Sequence, residues 1–105
     1  MNLTVSTRRA AGEAVVAVTG EIDLASGGQV DREIVEAIDG EGTVSVVVDL
    51  SEVRFMDSSG IAVLIRGRRR ADEHGVSYRI TGANGMVRQV LELTGILAHL
   101  SGENA

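Results

Sequence analysis

Four consecutive residues, Asp57-Ser58-Ser59-Gly60, bring together a carboxylate, two hydroxyls and a glycine. They follow an apolar run, Val44-Ser45-Val46-Val47-Val48, whose β-branched residues suit a buried strand. They precede Ile61-Ala62-Val63-Leu64-Ile65, which continues into Arg66-Gly67-Arg68-Arg69-Arg70-Ala71 and reads as a helix. A hydroxyl where a strand hands over to a helix sits beside unpaired backbone N–H groups and the positive end of the helix dipole. That is a good place to hold a phosphate. Serine is also favoured as a helix cap, so Ser58 and Ser59 have a purely structural reading as well, and the residues alone leave both open.

Catalytic chemistry finds little support. No histidine stands in a recognisable relation to Ser58, and the Gly-x-Ser-x-Gly pattern of a serine hydrolase is absent. The 13 glycines form neither a Walker nor a dinucleotide-binding pattern. Asp57 lacks the acidic pair and lysine of a receiver-type phosphoacceptor, and the chain contains no lysine. His74 and His99 are isolated, so no metal site is expected, and there is no cysteine to supply thiolate or disulfide chemistry. The expectation is a protein with no catalytic residue and no cofactor, a substrate of catalysis rather than a catalyst.

Bulk properties narrow the class further. A chain of 105 residues is expected to form one domain over residues 1–105 with a single core. Its apolar fraction of 44% and charged fraction of 24% are those of an ordinary globular protein. The net charge of -5 argues against nucleic acid as the main partner. Phe55 and Tyr78 are the only aromatic residues, too few for a base- or sugar-stacking platform. Apolar runs of about five residues fall far short of the roughly 20 that span a bilayer. Met1-Asn2-Leu3-Thr4-Val5 lacks the basic start and apolar stretch of a signal peptide, so a cytoplasmic location and no membrane partner are expected.

The elements that must position the motif can be read in order. Leu3-Thr4-Val5-Ser6 alternates as a half-exposed strand, and Ala14-Val15-Val16-Ala17-Val18 reads as a second, pairing with it in a hairpin. Gly20-Glu21-Ile22-Asp23 reads as a break followed by a very short third strand or loop. Val30, Ile34, Ala37 and Ile38 then share one helix face. Ser26 with Gln29 fits a capping box for that helix, with Asp23 as a rival cap, and Gly40 and Gly42 end it. The run from Val44 to Leu50 is the fourth strand. The helix after Ser58 places Gly60, Val63, Leu64, Gly67 and Ala71 on one face and stops at Gly75. Its Arg66–Arg70 cluster reads as a solvated helix end, with Asp72 and Glu73 four residues after Arg68 and Arg69. Val76 to Thr81 alternates as a fifth strand. Asn84 caps a helix with Met86, Val87, Val90 and Leu91 inward, and Ile96-Leu97-Ala98-His99-Leu100 is a last helical segment before a tail. The order β-β-β-α-β-α-β-α-α predicts an α/β fold, with a mixed sheet of about four to five strands and about four helices. The motif would lie at a strand's carboxyl end, where open α/β sheets place their sites.

At these residues the chain resembles the STAS-domain anti-sigma-factor antagonists. Asp49-Leu50-Ser51 with Val53-Arg54-Phe55-Met56-Asp57-Ser58-Ser59-Gly60-Ile61 is similar to the family's signature. Gly20-Glu21-Ile22-Asp23 matches its second motif and Leu93-Thr94-Gly95-Ile96 its third, in order and across nearly the whole chain. The resemblance implies a STAS fold and a bacterial partner-switching role in transcription. The unphosphorylated antagonist binds an anti-sigma factor, itself a GHKL-type serine kinase, and frees the sigma factor. The kinase phosphorylates the antagonist to end binding, and a PP2C-type phosphatase reverses this. By position the resemblance makes Ser58 the phosphoacceptor, and Glu21, Asp23, Phe55, Met56, Asp57, Ser58, Ser59 and Gly60 are expected on the partner face, with a plain core reading also open for Phe55 and Met56. It leaves the protein as a monomer or weak dimer. Another STAS role, as a non-phosphorylated regulatory subunit of an ABC-type lipid transporter or a stressosome-like scaffold component, would use the same face. The family often has a proline early in the first helix, where this chain has Gly27-Gly28 and no proline anywhere.

Overall fold

The computed structural model describes residues 3–93. The chain opens with strand β1 (Leu3–Ala10), which turns at Ala11-Gly12 into β2 (Glu13–Ile22). Both turn residues have positive φ, 52° and 84°, the backbone a tight hairpin demands. Helix α1 (Gly27–Asp39), β3 (Ser45–Met56), α2 (Ser58–His74), β4 (Ser77–Thr81) and α3 (Gly85–Leu93) follow. The strands form one sheet in the order β1-β2-β3-β4, antiparallel between β1 and β2 and parallel elsewhere.

Two features correct the sequence reading. The break at Gly20 does not separate two strands; β2 runs through it to Ile22, with register shifts against β3 at Ala17/Thr19 and Gly20/Glu21. Glycine there accommodates a bulge, at φ 111°, rather than a turn, so the sheet has four strands, the lower of the four to five expected. Met86 is 45% exposed; the inward face of α3 is carried by Val87 and Leu91, which join the core. The helical segment expected at residues 96–100, and the third motif beyond Leu93, lie outside the described residues.

One face of the sheet carries the core. Ala14, Val16 and Val18 on β2 and Val46, Val48 and Leu50 on β3 alternate inward. Val30, Ile34, Ala37 and Ile38 of α1 and Val63, Leu64 and Ala71 of α2 cover them. The helix stripe expected from sequence is the buried stripe of α2, namely Gly60, Val63, Leu64, Gly67 and Ala71. Its glycines allow close approach: a Cβ added at Gly67 would stand 2.6 Å from the Tyr78 hydroxyl and 3.0 Å from Ile34 Cγ2. The arginine cluster is not simply solvated. Arg70 donates to both carboxylate oxygens of Asp39, at 3.0 and 2.6 Å, and Arg66 reaches Asp31 at 3.4 Å, so these arginines tie α2 to α1.

Candidate functional site

Parallel register brings the site together. Ile22, last in β2, pairs with Met56, last in β3, so both strands release the chain at the same edge, into Asp23 and Asp57 respectively. The Asp57 N–H donates to the Ile22 carbonyl at 3.2 Å and fastens the two exits together. Both aspartates then fold their side chains back onto the backbone that follows, as short acidic side chains do at helix starts and turns.

Asp57 is the N-cap of α2. Its carboxylate accepts the Ser59 N–H at 2.8 Å, and its carbonyl accepts from Gly60 at 3.0 Å and Ile61 at 3.3 Å. The structural reading of Ser58 and Ser59 as caps is therefore corrected: they are the first two helical residues. The cap also changes the picture of the phosphate seat, because most N–H groups of the first turn are already engaged. Ser58 itself is exposed, and no hydrogen bond engages its hydroxyl among the described residues.

The loop before α1 is held more tightly. Asp23 Oδ1 accepts from the N–H groups of Ala25 and Ser26, both at 3.0 Å. Ser26 Oγ accepts the Asp23 N–H at 3.0 Å and lies 2.9 Å from the Glu21 carbonyl, to which it can donate. Ser26 precedes α1 but makes no side-chain cap, so the capping box with Gln29 is not formed; its hydroxyl is consumed by the loop. The N–H and hydroxyl of Ser26 hold the Asp23 carboxyl below its usual range, with the Ala25 N–H adding to the effect. Asp23 stays ionised beside the Ser58 exit.

Of the remaining residues expected on the partner face, Glu21 and Phe55 are half-buried neighbours across β2 and β3. Met56 and Gly60 are buried, which for Met56 is the core reading left open by the sequence. Met56 is 1% exposed, and a Cβ at Gly60 would fall 2.5 Å from Met56 Cγ and 3.0 Å from Ile22 Cγ2. Both are inside the fold; they seat the start of α2 on the sheet and offer a partner no surface.

The sequence reading passed over what lies beside Ser58. Leu24, between the Asp23 and Ser26 anchors, is 85% exposed. It borders a groove of about 260 Å³ between the starts of α1 and α2, lined also by Gly27, Gly28, Ser59, Ala62 and Arg66. A lone leucine among small and polar loop residues was the available signal. Among the described residues, no group of His, Cys, Asp and Glu could hold a metal ion, and no helix is long and apolar enough to cross a membrane.

Comparison with known proteins agrees with this architecture. The family model described as "Mlab, STAS domain" matches residues 5–100, and the chain belongs to the STAS-domain family. It is 27% identical to an anti-sigma F factor antagonist of Paenibacillus polymyxa over 96 residues, covering 91% of this chain and 82% of that one. It is 26% identical to the anti-sigma-F factor antagonist RsfB of Mycobacterium tuberculosis, over 90% of this chain and 76% of the other. The crystal structure of an anti-sigma factor antagonist from Mycobacterium paratuberculosis superposes with a TM-score of 0.79 at 25% identity, covering 90% of this chain and 80% of that chain. All three are named as antagonists of anti-sigma factors.

Proposed function

We propose that this chain is an anti-sigma-factor antagonist whose unphosphorylated form binds a GHKL-type serine-kinase anti-sigma factor, and that phosphate on Ser58 ends that binding. The observation that carries the reading is the exposed Ser58 hydroxyl, free of hydrogen bonds in the described structure and one residue beyond the Asp57 cap. The Asp23 loop lies at the same edge. The names of the relatives supply the partner class.

The physics of the switch is local. Phosphate replaces a neutral hydroxyl with about -1.5 to -2 charges and three strong acceptors. A partner packed against Ser58, Asp23 and Asp57 would then meet a dianion next to two carboxylates and would have to desolvate it without a counterion. Because the fold does not depend on the Ser58 side chain, the antagonist itself keeps its structure. A PP2C-type phosphatase can reach an ester so exposed and restore the binding form.

The test is co-expression with the GHKL-type kinases of the source cell and ATP, followed by intact mass, peptide mapping and co-elution. One phosphate on Ser58, absent in Ser58→Ala, is expected. Ser58→Asp should weaken kinase binding roughly 100-fold, the scale of an unpaired charge buried at an interface. Undiminished binding of Ser58→Asp would refute the switch. A chain that binds none of these kinases and takes no phosphate would fit the transporter-subunit or scaffold role instead.

A further inference from the structure

Leu24 is the most exposed large apolar side chain among the described residues, and its position is anything but loose. Asp23 and Ser26 on either side are locked to each other by backbone and side-chain hydrogen bonds of 3.0 Å, and the Gly27 N–H donates to the Asp23 carbonyl at 2.7 Å. A rigid loop thus holds a leucine out in water. Beside it runs the groove lined by Gly27, Gly28, Ser59, Ala62, Val63 and Arg66. A Cβ added at Gly28 would meet nothing within 4 Å. A side chain at position 28 would therefore meet no obstacle beside the groove.

We infer that Leu24 and this groove are the apolar recognition element for the anti-sigma kinase: Leu24 inserts into the kinase, and the groove receives an apolar side chain from it. The inference rests on the proposed function and deepens it. Its occupant follows from continuity with the phosphoacceptor. Ser59, a groove wall, adjoins Ser58, so a kinase that reaches the Ser58 hydroxyl also covers the groove mouth. A side chain held out by a rigid loop costs little ordering entropy to bury, and interface energy concentrates in the few side chains that a partner buries fully. The arrangement also gives phosphate its leverage, since a dianion on Ser58 would stand at the mouth of an apolar groove.

The test uses the full chain and the kinase bound by the wild type, with affinity read by calorimetry and stability by thermal melting. Leu24→Asp should bind about 30-fold more weakly, the hot-spot scale, with no loss in melting temperature because the side chain makes no core contact. Gly28→Leu should fill the groove and bind at least 10-fold more weakly while raising the melting temperature, because glycine is the poorest helix former after proline. Opposite signs in binding and stability are an outcome that misfolding cannot produce. Val44→Asp, at a position 64% exposed before the opposite end of β3, serves as the control and should bind as wild type. If Leu24→Asp and Gly28→Leu bind normally while Ser58→Asp does not, the inference fails and the proposed switch stands. If the wild-type chain binds no such kinase, both fall.

Discussion

Gly67→Ala tests how the sheet positions the helix that carries Ser58. An alanine Cβ there would lie 2.6 Å from the Tyr78 hydroxyl, 2.9 Å from Tyr78 Cζ and 3.0 Å from Ile34 Cγ2, all closer than side chains normally come. None of these can retreat easily. Tyr78 is 6% exposed and Ile34 fully buried, and the phenol donates to the Leu64 carbonyl at 3.0 Å from inside the core. Burial pushes the Tyr78 pKa up, so the hydroxyl remains a donor at any ordinary pH. Overpacking a core costs about 1–3 kcal/mol, and displacing the phenol costs about 1 kcal/mol for its hydrogen bond. Better helix propensity returns about 1 kcal/mol. The net expectation is a destabilisation of about 1–3 kcal/mol, read by urea or thermal unfolding as about 4–8 °C in Tm per kcal/mol for a domain of this size. Tyr78→Phe removes the nearest clashing atom. In the double variant the cost of Gly67→Ala should fall by about 1 kcal/mol, a coupling that a double-mutant cycle measures. Equal or greater stability of Gly67→Ala would refute the reasoning, because it would mean that α2 shifts off the sheet without penalty.

Two further outcomes follow from the same contacts. Asp57→Ala, which leaves the Ser59 N–H without its cap, should lower stability by about 1 kcal/mol, whereas Ser58→Ala should change the thermal midpoint hardly at all; the reverse order would make Ser58 the cap. The Arg70 hydrogen bond and charge hold Asp39 below its usual pKa, with His74 adding to this. A group whose folded pKa is depressed stabilises above its unfolded value, about 3.9, and loses that contribution as pH falls through the folded value. Asp39→Asn should therefore melt below wild type at neutral pH, with the gap closing below about pH 4 and shrinking in high salt. A gap independent of pH would exclude the ion pair as its cause.

What the sequence made legible was the part decided locally. The α2 stripe follows from 3.6-residue periodicity, and all five of its residues are buried. The long apolar run located β3 as far as Leu50, although pairing with β2 carries the strand on to Met56, and Gly12 marked the hairpin turn. The cap of α2 was not legible, because aspartate and serine are equally good caps and the choice depends on where β3 ends. That is settled by the Ile22–Met56 register and the Asp57–Ile22 hydrogen bond, contacts between residues far apart in sequence. Ser26 shows the same effect: a serine spaced for a capping box spends its hydroxyl on Glu21 and Asp23 instead. The spacing of the arginine cluster predicts local i, i+4 pairs, and Arg68 does reach Asp72 at 3.5 Å. Arg66 and Arg70 instead find Asp31 and Asp39 on α1, once core burial has set the two helices side by side.

The occupied cap also bears on why a phosphate on Ser58 would act outward. A helix N-terminus offers roughly half a positive charge and several N–H donors, and with both free a phosphate can be absorbed by its own helix. In α2 the Asp57 carboxylate holds the Ser59 N–H, and the Asp57 carbonyl takes the next two donors. About -1.5 to -2 added charges would therefore face half a positive charge already offset by one carboxylate, with ionised Asp23 at the same edge. The surplus stays negative and stays at the surface. An antagonist that neutralised its own phosphate would bury the signal within itself, whereas this arrangement leaves the whole cost of desolvating the dianion to the partner. The residue that starts the helix would thus also be the residue that keeps the proposed switch legible from outside.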